Sequence, residues 1–116
     1  MDLGLAGKVA LVTAASKGLG RASAQALVGE GAWVAINSRD PDRLRSAASE
    51  MGGDVLALPA DVTGQDAPRR LVEATVERFG ALHVLVANAG GPAKGRALEV
   101  DQATLEAALN ANLLTF

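Results

Sequence analysis

The 116-residue chain has no cysteine, no tyrosine and a single histidine, and aromatic residues make up 3% of it. Without cysteine there is no disulfide and no thiolate metal site, and cysteine usage leaves the redox compartment open. Without tyrosine, and with His83 the lone group that ordinarily titrates near neutrality, these residues offer few acid–base catalysts for physiological pH. Basic blocks are missing too. Eleven Lys and Arg oppose 13 Asp and Glu, a net charge of −2, so a nucleic-acid or anionic-membrane partner has no electrostatic basis. The opening "MDLGLAGKVALVT" carries an acidic second residue and only a short apolar run. Neither a leader nor a membrane span is expected from it, which makes the cytoplasm the expected compartment.

What is present is 49% hydrophobic residue, mostly aliphatic and alanine, suited to one layered α/β domain over residues 1–116. Apolar runs at 8–13, 32–37, 54–58 and 82–87 alternate with helical patterns at 18–30, 41–51, 64–79 and from 102 onward. Asp40-Pro41 supplies an N-cap followed by Pro at the first helical position, and Gly52 stands where that helix should stop. Thr63 and Asp66 resemble a capping box, and Gly80 closes the same helix. No hairpin turn separates the runs. The reading is therefore a doubly wound parallel sheet in the order 3-2-1-4, with right-handed crossovers and helices on both faces. The last helical pattern, with its stripe Leu105, Ala108, Leu109, Leu113 and Phe116, is still running at the final residue. The domain is thus expected to be incomplete at its C-terminus.

Ligands of open α/β sheets sit outside the carboxyl ends of the strands. Here all four runs end in polar or glycine-rich signals: "TAASKGLG", "NSRD", "ADVTG" and "ANAGGP". In the first, Gly18 and Gly20 suit a phosphate-binding turn, since backbone N–H groups can approach oxygens only where no Cβ intervenes. Against G-x-G-x-x-G the stretch has Ser23 in the last place, still small enough for close helix–strand packing. It lacks the Gly-Lys-Ser/Thr of a P-loop. A tight turn and nothing more is the other reading of these residues.

Together the motifs resemble the short-chain dehydrogenases/reductases. The family's T-G-x-x-x-G-x-G matches from Thr13 to Gly20 except at Ala14, its N-A-G is Asn88-Ala89-Gly90, and its D-V is Asp61-Val62. The helix Asn of the family falls on Asn112 of "NANLL". The resemblance covers the whole chain and implies a Rossmann-like fold and an enzyme that moves hydride between a nicotinamide and a carbonyl or alcohol carbon of a small-molecule substrate. It implies that the backbone of Ser16, Lys17, Gly18 and Leu19, helped by Gly20, cradles a pyrophosphate. Asp61 and Val62 would hold adenine, and Asn88 to Gly90 would line the adenosine ribose. Asn112 would be the catalytic Asn that positions a proton-relay water. Ala14 in place of glycine is tolerated if the backbone there keeps a negative φ, and that is the expectation.

For the cofactor, the end of the second run decides. An acid there would accept the 2′-hydroxyl of NAD, but Ser38 and Arg39 occupy the place and Lys17 adds a cation. Asp40, followed by Pro, reads as the N-cap. NADP(H) is expected in preference to NAD(H). The family's catalytic Tyr and Lys have no counterpart within these residues, so the chain alone is expected to be inactive. The family's members are commonly oligomers, and a homo-oligomer is expected. His83 and Trp33 read as strand-edge and packing residues. The competing reading of another class is a stand-alone nucleotide-binding or sensor module without catalysis; a Tyr-x-x-x-Lys downstream in the reading frame would discriminate.

Overall fold

A computed structural model describes residues 3–89 and 102–103 of the chain. Four strands, β1 (Val9–Val12), β2 (Trp33–Ser38), β3 (Val55–Pro59) and β4 (Val84–Val86), alternate with α1 (Gly18–Gly29), α2 (Pro41–Met51) and α3 (Ala67–Phe79). The strands form one parallel sheet in the order β3-β2-β1-β4, as the unbroken strand–helix alternation requires.

Burial follows from this order. β1 lies between β2 and β4 and is covered on both faces, so Val9, Ala10, Leu11 and Val12 are all buried. A strand in this position can be continuously apolar because neither face meets water. On one face Ala10, Val12, Val34 and Ile36 pack with Ala24 of α1 and with Leu44, Ala47 and Met51 of α2. On the other, Leu11 and Ala35 meet Leu71 of α3, with Leu56, Leu58, Phe79 and Leu82 around them. The alternation of even and odd positions between the two clusters is the strand period of two. β4 has a neighbour on one side among the described residues, and Leu85 is 57% exposed.

Local chemistry sets most boundaries. Asp40 caps α2: its Oδ1 accepts from the N–H groups of Asp42 (3.0 Å) and Arg43 (3.2 Å), and Pro41 takes the first helical position. Gly80 ends α3 in the left-handed region at φ 84°, where its N–H donates to the Val76 carbonyl. The start of α3 departs from expectation. The helix begins at Ala67, not at residue 64, and no capping box forms between Thr63 and Asp66. Thr63 is held instead by Asp61, whose Oδ1 accepts both its N–H (3.0 Å) and its hydroxyl (2.6 Å). An Asp that captures the backbone two residues on makes a turn that competes with helix initiation. The Gly64 N–H then donates to the Asp61 carbonyl, and the Ala67 N–H to that of Gly64.

At the amino ends of the strands His83 plays the structural part expected of it. Its N–H donates to the Val9 carbonyl, and its Nδ1 accepts from the Val9 N–H, both at 2.9 Å. Trp33 packs on Phe79 with the rings tilted at 31° and their centroids 6.0 Å apart, while remaining 46% exposed.

At the carboxyl ends the clamp is Asn37, 1% exposed, whose Nδ2 donates to the carbonyls of Leu58 (2.9 Å) and Ala60 (3.1 Å). It ties the exit of β3 to β2. Replacing it by Leu should cost about 2–3 kcal/mol in urea unfolding of the full-length protein, since two carbonyls lose their donor at a buried site; a change within 0.5 kcal/mol, on the order of a surface substitution, would deny the clamp its role.

Candidate functional site

The carboxyl ends of the strands open into a cleft of about 560 Å³. It is lined by Ser16, Lys17, Gly18 and Leu19 of the first turn, Ser38 and Arg39 after β2, Asp61 and Val62 after β3, and Asn88 and Ala89 after β4. Ten positions singled out from the sequence thus converge on one space, though they are spread over 74 residues of chain. Ala14, Asn37, Asp40, Arg43, Ala60 and Thr63 complete the lining. Thr13 and Gly20 are absent from the lining and lie beneath it. Gly90 and Asn112 fall outside the described residues, as does the apolar stripe from Leu105 to Phe116.

Thr13 acts as a rivet between β1 and the segment after β4. Its hydroxyl donates to the Asn88 carbonyl (2.6 Å) and accepts from the Asn88 N–H (2.8 Å), while its own N–H donates to the Val86 carbonyl. A threonine 6% exposed needs such partners. Asn88 reaches further, its Nδ2 donating to the Ala14 carbonyl at 3.3 Å.

Gly20 explains the glycine pattern better than the G-x-G-x-x-G comparison did. A Cβ built on it would stand 2.2 Å from the Ala14 carbonyl oxygen and 2.9 Å from Asn88 Nδ2. Close helix–strand approach therefore happens at Gly20. Gly18, at φ 61°, gives the chain the left-handed step into α1. Lys17 occupies the N-cap position in extended conformation and makes no side-chain cap bond. The first-turn N–H groups of α1 therefore face the cleft's turn without a side-chain acceptor, the arrangement that favours an anion.

Ala14 contradicts the expectation of a negative φ: it stands at φ 50°, in the left-handed region. Its surroundings dictate this. The Thr13 N–H is bonded to Val86, the Ala15 N–H to the Asn37 carbonyl (2.8 Å), and the carbonyl between them is held against Gly20 and Asn88. The chain must reverse within one residue, and the fixed neighbours outweigh a steric cost of about 1–2 kcal/mol.

The second ending is joined to the first by a hydroxyl bond, Ser38 Oγ donating to Ser16 Oγ at 3.1 Å. In the third, the Asp61 carboxyl is held below the usual carboxylate range, first by the Thr63 hydroxyl, then by the Thr63 N–H, with a smaller contribution from the Arg39 charge. These outweigh the small opposing effect of burial.

Two outcomes test this geometry. Ala14→Gly should stabilise the full-length protein by about 0.5–1 kcal/mol, the relieved strain less the added chain entropy, whereas Gly20→Ala should cost about 3 kcal/mol or more by overpacking backbone. For Asp61, Thr63→Ala should raise the carboxyl pKa in an NMR titration. The wild-type bond stabilises the fold at neutral pH and fades as pH falls through the lowered folded value, so the variant should lose less stability on acidification.

Residues 8–116 match the short chain dehydrogenase family. An uncharacterized oxidoreductase of Methylorubrum extorquens is 47% identical over 90 residues, covering 74% of this chain and 36% of the relative. The rhamnolipids biosynthesis 3-oxoacyl-[acyl-carrier-protein] reductase of Pseudomonas aeruginosa is 42% identical over 97 residues, covering 82% and 38%. Among solved structures, the 3-ketoacyl-(acyl-carrier-protein) reductase of Brucella melitensis complexed with NADH superposes with a TM-score of 0.89 at 34% identity, over 96% of this chain and 46% of that one. The chain spans between about a third and just under half of the length of these proteins. No helix of the described residues is long and apolar enough to cross a membrane. With a parallel 3-2-1-4 sheet, a glycine turn at the end of β1 and a family match over nearly all its length, the chain belongs to the short-chain dehydrogenase family of oxidoreductases.

Proposed function

We propose that this chain is the N-terminal, cofactor-binding part of an NADP(H)-dependent oxidoreductase that interconverts a small carbonyl compound and its alcohol. The observation that carries the cofactor choice is the end of β2. Ser38 and Arg39 line the cleft where an acid would accept the 2′-hydroxyl of NAD. Asp40, the nearest carboxylate in the chain, has its Oδ1 committed to two N–H groups of α2. NADH in the Brucella reductase accords with a nicotinamide dinucleotide as the ligand class; the residues after β2 are what favour the 2′-phosphate in this chain.

The residues present fit a dinucleotide. The α1 N-terminus without a side-chain cap, the left-handed Gly18 and the Ser16–Leu19 backbone suit a pyrophosphate. Val62 supplies an apolar wall for adenine, with Asp61 beside it, and Asn88, Ala89 and Gly90 are assigned to the adenosine ribose. Thr13 and Gly20 hold that wall and that turn in register. The bound nicotinamide would supply or accept the hydride. By resemblance to the family, Asn112 orients the water of the proton relay, whose acid lies outside this chain's residues because the chain has no tyrosine.

In the full-length protein, Arg39→Ala should weaken NADPH binding by about 1–3 kcal/mol, the loss of a charge-assisted bond, and leave NADH binding nearly unchanged by calorimetry. Equal losses for both nucleotides would refute the 2′-phosphate assignment.

A further inference from the structure

Asn37 carries more than the clamp between β2 and β3. We propose that its side-chain oxygen is a base-specificity determinant, accepting a hydrogen bond from the exocyclic amino group of adenine in the bound dinucleotide. The inference rests on the dinucleotide reading above and names a residue outside the motifs that carry the family resemblance.

The amide can be oriented in one way only. Its nitrogen holds both protons and its oxygen none, so the end that faces the carbonyls of Leu58 and Ala60 is Nδ2, at 2.9 and 3.1 Å. Those two bonds consume both donors. Oδ1 is left as a pure acceptor, and no N–H or O–H of the described residues donates to it. No buried side-chain nitrogen or oxygen among the described residues lacks a partner. Oδ1 therefore lies in the 1% of Asn37 that is not covered, and Asn37 lines the cleft. A nearly buried side chain thus offers the cleft one atom of fixed sign.

Its position selects the base. Oδ1 and Nδ2 share one carbon, so Oδ1 stands beside the Ala60 carbonyl, one residue before Asp61 and Val62, the wall assigned to adenine. Phosphate oxygens, assigned to the glycine turn, have no proton to give it, and the adenosine ribose is assigned to the segment after β4. The amino group at C6 of the base is the donor left for this wall. Asp61 supplies a second acceptor there, but it is exposed and its Oδ1 is committed to Thr63, so water competes for it. At Asn37 water is nearly excluded, and an acceptor left unpaired at such a site costs more. A hydroxyl could turn to suit a donor or an acceptor; a pinned amide cannot. A carbonyl at C6, as in hypoxanthine, would set oxygen against oxygen.

The test is calorimetric titration of the full-length protein with NADPH, with NADH and with the hypoxanthine form of each, for the wild type and for Asn37→Ala. In both pairs the wild type should bind the adenine form about fivefold or more tightly than the hypoxanthine form, the size of one hydrogen bond to a buried acceptor. Asn37→Ala also loses the clamp, which weakens both forms alike, so the ratio between them should fall to within about twofold. A measurement on the wild type decides even if that variant does not fold. With asparagine labelled by carbon-13, the Asn37 Cγ resonance should move downfield on adding NADPH and not on adding its hypoxanthine form. Equal binding of the two base forms by the wild type overturns the proposal. So does a preference that survives Asn37→Ala, or a Cγ resonance indifferent to the base. If NADPH binds no tighter than NADH, the 2′-phosphate reading falls while the NADH pair still decides the role of Asn37. If neither nucleotide binds, both fall.

Discussion

The site depends on one close approach. At Gly20 the first turn of α1 comes so near the end of β1 that the Ala14 carbonyl occupies the space a side chain would need. That carbonyl also accepts from Asn88, whose backbone is riveted to Thr13. Helix, central strand and the exit of β4 are thereby joined within a few ångströms. The consequence reaches residue 14, which is forced to positive φ although it is an alanine. The strain is local and small beside the burial of β1, all four of whose residues are in the core.

Around this joint the cleft is built from strand ends that cannot continue their pairing. Asn37 and Ser38 show how such ends become useful. Asn37 is turned inward and satisfies two carbonyls at the exit of the neighbouring strand β3, and Ser38 bonds to Ser16 of the glycine turn. Each polar side chain here first satisfies the backbone or a neighbour, as burial demands. What those bonds do not consume are the backbone N–H groups at the start of α1, which have no side-chain cap, and the charges of Lys17, Arg39 and Arg43, which have no ion pair among the described residues. The carboxylates of Asp40 and Asp61 are tied into turns and keep their charge; the cleft is positive because three cations, Lys17, Arg39 and Arg43, line it against these two acids, in a chain that is negative overall.

Much of this was legible in the residues. Strand–helix alternation without hairpin signals dictated a parallel sheet, and a right-handed crossover rule leaves few orders for it. Asp40-Pro41 and Gly80 marked helix ends through chemistry that acts within a few residues of chain. Ten of the residues singled out line one cleft because they follow the ends of parallel strands, and parallel strands end on the same side.

Other features required three dimensions. The capping box at Thr63 and Asp66 was plausible by spacing, yet Asp61 took Thr63 first. The sign of φ at Ala14 depended on where Val86, Asn37 and Asn88 stand, residues distant in sequence. Arg43 lay in a helical pattern among four other charged residues between 39 and 45, and nothing in its spacing marks it as different from Arg45. Local rules determine elements because their partners are a few residues away. Which cation is paired and which faces the cleft depends on the rotation of α2 against the sheet, and the burial of Leu44, Ala47 and Met51 against β1 and β2 sets that rotation.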